Sequence, residues 1–122
     1  MKEILIDVHS QTIKEVEIEK NASVNIGHIY EHLKCDCFTS VGIDENNDVF
    51  VDDEGLLSLT PLSKFFLYKG YPQPLAGNGL IVGIDHNDGD SVDTTLTIHE
   101  VAQNVIFMNL HEVQLYAEFN HI

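Results

Sequence analysis

Apolar and polar residues alternate in KEILID at residues 2–7 and again in TIKEVEIE at residues 12–19. Successive side chains of an extended chain point to opposite faces, so such alternation predicts strands with one dry and one wet side. The second run places Ile13, Val16 and Ile18 among Lys14, Glu15, Glu17 and Glu19, with one slip of register near Glu15. A polar HSQ links the runs, which predicts a β-hairpin.

The pattern then changes period. Ser23 offers an N-cap, and Ile26, Ile29, Tyr30 and Leu33 recur at helical spacing, predicting a short helix over residues 24–34. Gly27 inside it costs roughly 1 kcal/mol against alanine. Residues 38–44 and 49–53 read as a second hairpin around the turn formers of ENND, and Gly55 ends it. LLSLTPLS at 56–63 reads as a loop or helical turn, FFLYK at 65–69 as a strand, and NGLIVGID at 78–85 as a buried strand. Thr97 with Glu100 three residues on is a capping box that opens a helix. A short apolar run, Ile106-Phe107-Met108, follows, and the tail from 110 to 122 suits a helix or a strand equally. The expectation is α+β: a single compact domain, mostly antiparallel β-sheet with two or three short helices. Its bounds are 1–108, with 109–122 as a C-terminal extension.

Charge narrows the function classes. The chain carries 20 acidic residues against six lysines and no arginine, for a net charge of −14. That field opposes nucleic acid and anionic membranes, and the missing arginines remove the bidentate fork most used for phosphate. With 43% hydrophobic residues the chain is no disordered acidic tail. Cys35 and Cys37 sit too close in sequence for a disulfide framework, the N-terminus has no secretory apolar region, and no apolar run reaches membrane-spanning length. These features predict a cytoplasmic location.

Three motifs invite a chemical reading. His28, His32, Cys35 and Cys37 form H-x3-H-x2-C-x-C, which holds zinc-type ligands at a spacing unlike that of common structural sites, so they are weak metal candidates. Asp44, Asn46 and Asp48 match the first positions of a calcium loop, but Val49 replaces its glycine and Gly55 its glutamate. Asp85, Asn87, Asp88, Asp90 and Asp93 make a second oxygen-rich turn whose glycine is also displaced. Gly77, Gly79 and Gly83 lack the dinucleotide-fingerprint spacing and precede or sit within a strand, so Gly77 and Gly79 are assigned to turns needing positive φ. No nucleophile elbow is present, and Asp36 beside the cysteines raises rather than lowers a thiol pKa. No catalytic residue and no cofactor are expected.

The strings IYEHLKCDCFTSV, VFVDDEGLL, FFLYKGYPQPLAGNGLIVGID and TTLTIHEVAQNVIF resemble a family of short uncharacterised proteins found largely in bacteriophages and prophages. The resemblance covers roughly residues 1–108, and GYPQPLAGNGLIVG and VDDEGLL are its most specific parts. It implies a small accessory protein in a bacterial host cytoplasm and carries no established activity.

Two binding functions follow as expectations. In the first, an acidic surface of Asp44, Glu45, Asp48, Asp52, Asp53, Glu54, Asp85, Asp88, Asp90 and Asp93 engages a basic host protein, inhibiting a defence or nucleic-acid-handling factor. In the alternative, Lys64, Phe66, Lys69, Tyr71, Gly77, Asn78 and Gly79 sequester a small nucleotide signal. A cation-stabilised structural protein ranks third, and a homo-oligomer stays open. Convergence of the two aspartate-rich turns on one face is the observation that favours the first.

Overall fold

A computed structural model describes residues 1–17, 26–55, 59–87 and 89–120. The expected N-cap Ser23, strand residues 18 and 19, loop residues 56–58 and Asp88 lie outside the described residues.

The elements in chain order are β1 (Lys2–Asp7), β2 (Thr12–Glu17), α1 (Ile26–Leu33), β3 (Phe38–Gly42), β4 (Asn47–Asp52), β5 (Lys64–Tyr68), β6 (Leu75–Ala76), β7 (Gly79–Ile84), β8 (Ser91–Val92), α2 (Ile98–Asn104), β9 (Val105–Asn109) and α3 (Leu110–Asn120). They form two antiparallel sheets. The larger runs β2-β1-β7-β4-β3 with β8 added to β7, and the smaller runs β6-β5-β9. Both expected hairpins form, β1 with β2 and β3 with β4. The pairings that close the large sheet are long-range: Leu5 opposite Leu80, and Phe50 opposite Leu80 from the other side.

Alternation sorts the side chains of the large sheet between two cores. Leu5, Phe50, Leu80 and Val82 meet Ile29 and Leu33 of α1 on one face. Ile4, Ile6, Val49, Val51 and Ile81 meet Phe66, Tyr68 and Leu75 of the small sheet, with Val101 of α2, on the other. The register slip in β2 is thereby explained: Ile13 packs on the small-sheet side and Val16 on the α1 side, so this edge strand gives one apolar residue to each core. The strand pairs without a break from Lys2–Glu17 to Asp7–Thr12.

The capping box forms as the sequence predicts. Thr97 Oγ1 accepts from the Glu100 N–H at 3.1 Å, and Glu100 Oε1 accepts from the Thr97 N–H at 3.2 Å. The ambiguous tail is a helix. α3 packs on β9 and β5, where Tyr116 donates its hydroxyl to the Pro72 carbonyl at 3.3 Å. None of the described helices is long and apolar enough to cross a membrane.

The GNG segment is architectural. Gly77 has φ +80°, as the turn reading requires. Gly79 does not, and that assignment is corrected: it lies in β7, and a Cβ there would stand 2.6 Å from Phe66 Cζ and 3.0 Å from Val49 Cγ2. Its missing side chain lets the Phe66 ring lie against the sheet. Asn78, nearly fully buried, accepts the Val8 N–H on Oδ1 and donates from Nδ2 to the His32 carbonyl, both at 3.0 Å. One amide thus ties the β1–β2 turn and the end of α1 to the start of β7.

Candidate functional site: the acidic end of the large sheet

β4 and β7 run antiparallel with Asn47 opposite Gly83, so the β3–β4 turn meets the β7–β8 turn at one end of the sheet. The turns are bonded directly. Ile84 N–H donates to the Asn46 carbonyl at 2.9 Å, and His86 Nε2 bonds the Glu45 carbonyl. Asp93 joins them, accepting the Lys2 N–H on Oδ1 at 3.1 Å, while its carbonyl lies against Gly83. This end therefore gathers Asp44, Glu45, Asp48, Asp85, Asp90 and Asp93. The Met1 ammonium, 3.5 Å from Glu17 Oε1, sits on the strand pair alongside.

The turns are held rigidly by their own carboxylates. Asp44 Oδ1 accepts the Asn46 N–H at 2.7 Å, Asp85 Oδ1 accepts the Asn87 N–H at 2.9 Å, and Asp48 Oδ2 accepts the Ser40 hydroxyl at 2.6 Å. Beneath them Asn47 is 1% exposed and saturated. Its Nδ2 donates to both Asp44 oxygens, at 3.0 and 3.1 Å, and to Thr95 Oγ1 at 2.8 Å. Its Oδ1 accepts the Thr94 hydroxyl at 2.6 Å and the Thr95 N–H at 3.2 Å. Asn47 is the keystone of the acidic end, and nothing in the ENND string distinguishes it from the exposed Asn46. The charge reaches inward as well: burial, then Asp44 and Glu100, push the Tyr68 hydroxyl above its ordinary range.

Asp52, Asp53 and Glu54 do not belong to this surface. They end β4 at the opposite edge of the sheet, where Asp53 N–H donates to the Cys37 carbonyl at 3.1 Å. The ten acidic residues expected on one face are split between the two ends, with Asp88 outside the described residues.

The residues of the nucleotide reading are also dispersed. Phe66 is fully buried and offers no face to a ligand, and both polar groups of the Asn78 amide are engaged. Lys64, Gly77 and Asn78 line a cleft of about 200 Å³ with His9, Lys34 and Asp52. Lys69 and Tyr71 line another, of about 340 Å³, with Tyr68, Gln103 and Tyr116. The stacking aromatics and Lys64 therefore do not share a pocket.

The metal candidates are spent elsewhere. His28 Nε2 bonds Glu3 Oε1 at 3.1 Å across the α1–β1 interface, and the His32 ring meets it edge-on at 6.2 Å. Burial holds Glu3, 1% exposed, above the ordinary carboxyl range despite the attraction of His28, and burial lowers His32. Cys35 and Cys37 are free thiols. Burial with Asp52 and Asp36 raises the first; partial desolvation with Glu54, Asp36 and Asp53 raises the second. Among the described residues no group of three or more His, Cys, Asp or Glu is placed to hold a metal ion.

Residues 1–106 match the family described as a domain of unknown function, DUF3846. The chain is similar to the uncharacterized protein y4iR of Sinorhizobium fredii, 26% identical over 84 residues, which are 69% of this chain and 50% of that protein. It thus spans about half the length of this curated relative. No solved structure matches. The family match covers most of the chain, and the chain belongs to that family.

Proposed function

We propose that this DUF3846 protein is a non-catalytic, phage-type accessory protein of the host cytoplasm that binds a basic patch on a host protein through the acidic end of its large sheet. The reading extends to inhibition of a defence or nucleic-acid-handling factor. The observation that carries it is the bonding of the β3–β4 turn to the β7–β8 turn through Ile84–Asn46 and His86–Glu45, which fixes their carboxylates as one surface. A chain with net charge −14 that presents several carboxylates on a rigid end speeds encounter with a cationic surface, and salt weakens that advantage. The phage setting rests on the sequence resemblance.

The test is capture from host lysate by the parent chain and two charge-reduced variants. Asp44→Asn with Glu45→Gln and Asp90→Asn is expected to release the partner at lower salt. Asp53→Asn with Glu54→Gln, at the other end, is expected to leave capture unchanged. Capture indifferent to salt, or equal loss in both variants, counts against the reading.

The nucleotide alternative retains one favourable observation: Lys34 and His9 join Lys64 around the smaller cleft. It lacks an aromatic platform there. A thermal shift on adding cyclic nucleotides or ADP-ribose, abolished by Lys34→Ala with Lys64→Ala, would revive it.

A further inference from the structure

We propose that the cleft where β5, β9, α2 and α3 meet binds a flat heteroaromatic ring that carries an N–H group and a single negative charge. Its volume of about 340 Å³ lies at the low end of the range for small-molecule sites, about 300–1,000 Å³. That size suits one ring system with one acidic substituent. Leu67 and Ile106 pair directly across β5 and β9, so their side chains share one face of the small sheet. This face turns away from the core, because the flanking Phe66, Tyr68, Val105 and Phe107 pack inward. Three of the chain's four tyrosines, Tyr68, Tyr71 and Tyr116, also line the cleft. Hydrogen bonds set these walls before a ligand arrives. The Lys69 N–H donates to the Asn104 carbonyl at 2.8 Å, the Tyr71 N–H to the Tyr68 carbonyl at 2.9 Å, and the Tyr116 hydroxyl to the Pro72 carbonyl at 3.3 Å. Gly70 makes the turn between them at φ +97°, a conformation that glycine adopts freely.

The lining fixes the sign of the ligand. The chain has 20 acidic residues, yet among the described residues none lines this cleft, whereas Lys69 does. Among the described residues Lys69 makes no ion pair. A tyrosine cage for a quaternary ammonium would not place a lysine on its rim. One lysine offsets one negative charge, and the net charge of −14 opposes polyanions. The amides choose the ring. Gln103 Nε2 bonds His99 Nε2 at 3.1 Å, and Asn104 Nδ2 donates to the Glu100 carbonyl at 2.7 Å. Each side-chain amide oxygen is therefore without a partner among the described residues, and such an oxygen accepts from a ring N–H or amino group. Tyrosine supplies the surface on which the ring stacks. The inference does not depend on the reading of the acidic end.

The experiment is titration of the full chain followed by amide shifts in two-dimensional NMR. Two probes cover the two sources of this chemistry: 3′,5′-cyclic AMP for a nucleotide and indole-3-acetate for an aromatic carboxylate. Their neutral counterparts are adenosine and indole-3-acetamide. At least one anionic probe is expected to give saturable shifts at Gly70, Tyr71 and Ile106, and to bind more tightly than its neutral counterpart. Lys69→Gln is expected to weaken that probe about tenfold and leave the neutral one unchanged, and Lys69→Arg to restore binding. Tyr71→Phe, which keeps the ring and the fold, is expected to bind as the parent does, whereas Tyr71→Ala is expected to lose the anionic and neutral probes alike. Four outcomes overturn the proposal: no saturable shift with either anionic probe up to its solubility limit, shifts centred on Lys34 and Gly77 instead, affinity indifferent to Lys69→Gln, or neutral probes bound as tightly as anionic ones.

Discussion

Replacing Asn47 by alanine removes a side chain that bonds three residues, Asp44, Thr94 and Thr95, and holds the acidic end together. The cost is set by what each partner does afterwards. Asp44 is exposed and recovers water in place of the amide, so its loss is small. Thr94 is 4% exposed; its Oγ1 still accepts the Leu96 N–H at 3.2 Å, but its own proton loses its acceptor. One buried donor left unsatisfied costs about 1–3 kcal/mol, and the bonds to Thr95 add about 1 kcal/mol net. The expected loss is therefore about 3 kcal/mol, a fall in melting temperature on the order of 10 °C for a chain of this size. Urea unfolding followed by circular dichroism, with Asn46→Ala as the neighbouring surface control, measures it. The control is expected to stay within about 0.5 kcal/mol of the parent. If Asn47→Ala is no worse than Asn46→Ala, the keystone argument fails. Partner capture by Asn47→Ala at a temperature where it remains folded is expected to fall with the loosened turn, which separates rigidity from charge.

Gly79→Ala drives a methyl into Phe66 and Val49, both fully buried, and is expected to cost about 1–3 kcal/mol by urea titration, whereas Gly70→Ala meets no atom and should cost only its φ +97° strain. Glu3 responds to pH: its carboxyl is raised above the ordinary value of 4.5 by burial, so it contributes stability while protonated and loses it as pH rises through the folded pKa. Glu3→Gln is therefore expected to gain on the parent as pH rises above the ordinary carboxyl value of 4.5; a variant that instead loses ground as pH rises would show the His28 pairing outweighing burial. Both thiols are pushed up, Cys35 by burial and Asp52 and Cys37 by desolvation and Glu54, so alkylation by iodoacetamide near neutral pH is expected to be slower than for free cysteine at both positions, and a faster rate at either would contradict the assigned environment.

Features governed by neighbours in sequence were legible before the fold. The hairpins follow from alternation around polar turns, the helix at 98–104 from its capping box, and the buried β7 from GLIVGI, because each depends on residues a few positions apart. The tail from 110 to 120 was not, since its apolar residues fit a helix or a strand equally; docking on β9 and β5 chose the helix. Gly79 read as a turn residue because its constraint comes from a ring thirteen positions away. Asn47 was invisible for the same reason, its partners Thr94 and Thr95 lying 47 and 48 residues downstream.

The candidate site divides along that line. The sequence by itself determined that the chain is strongly acidic, lacks arginine and folds as an α+β domain rich in hairpins, since charge is additive and alternation is local. Only the tertiary structure decided which acids lie together. Antiparallel pairing of β4 with β7 laid Asp44 and Glu45 against the turn that carries Asp85 and Asp90, and the length of β4 carried Asp52, Asp53 and Glu54 to the other end. Long-range strand pairing is selected by the fit of whole faces, Leu80 between Leu5 and Phe50 and Phe66 beneath Gly79, and no window of sequence contains both sides of such a fit.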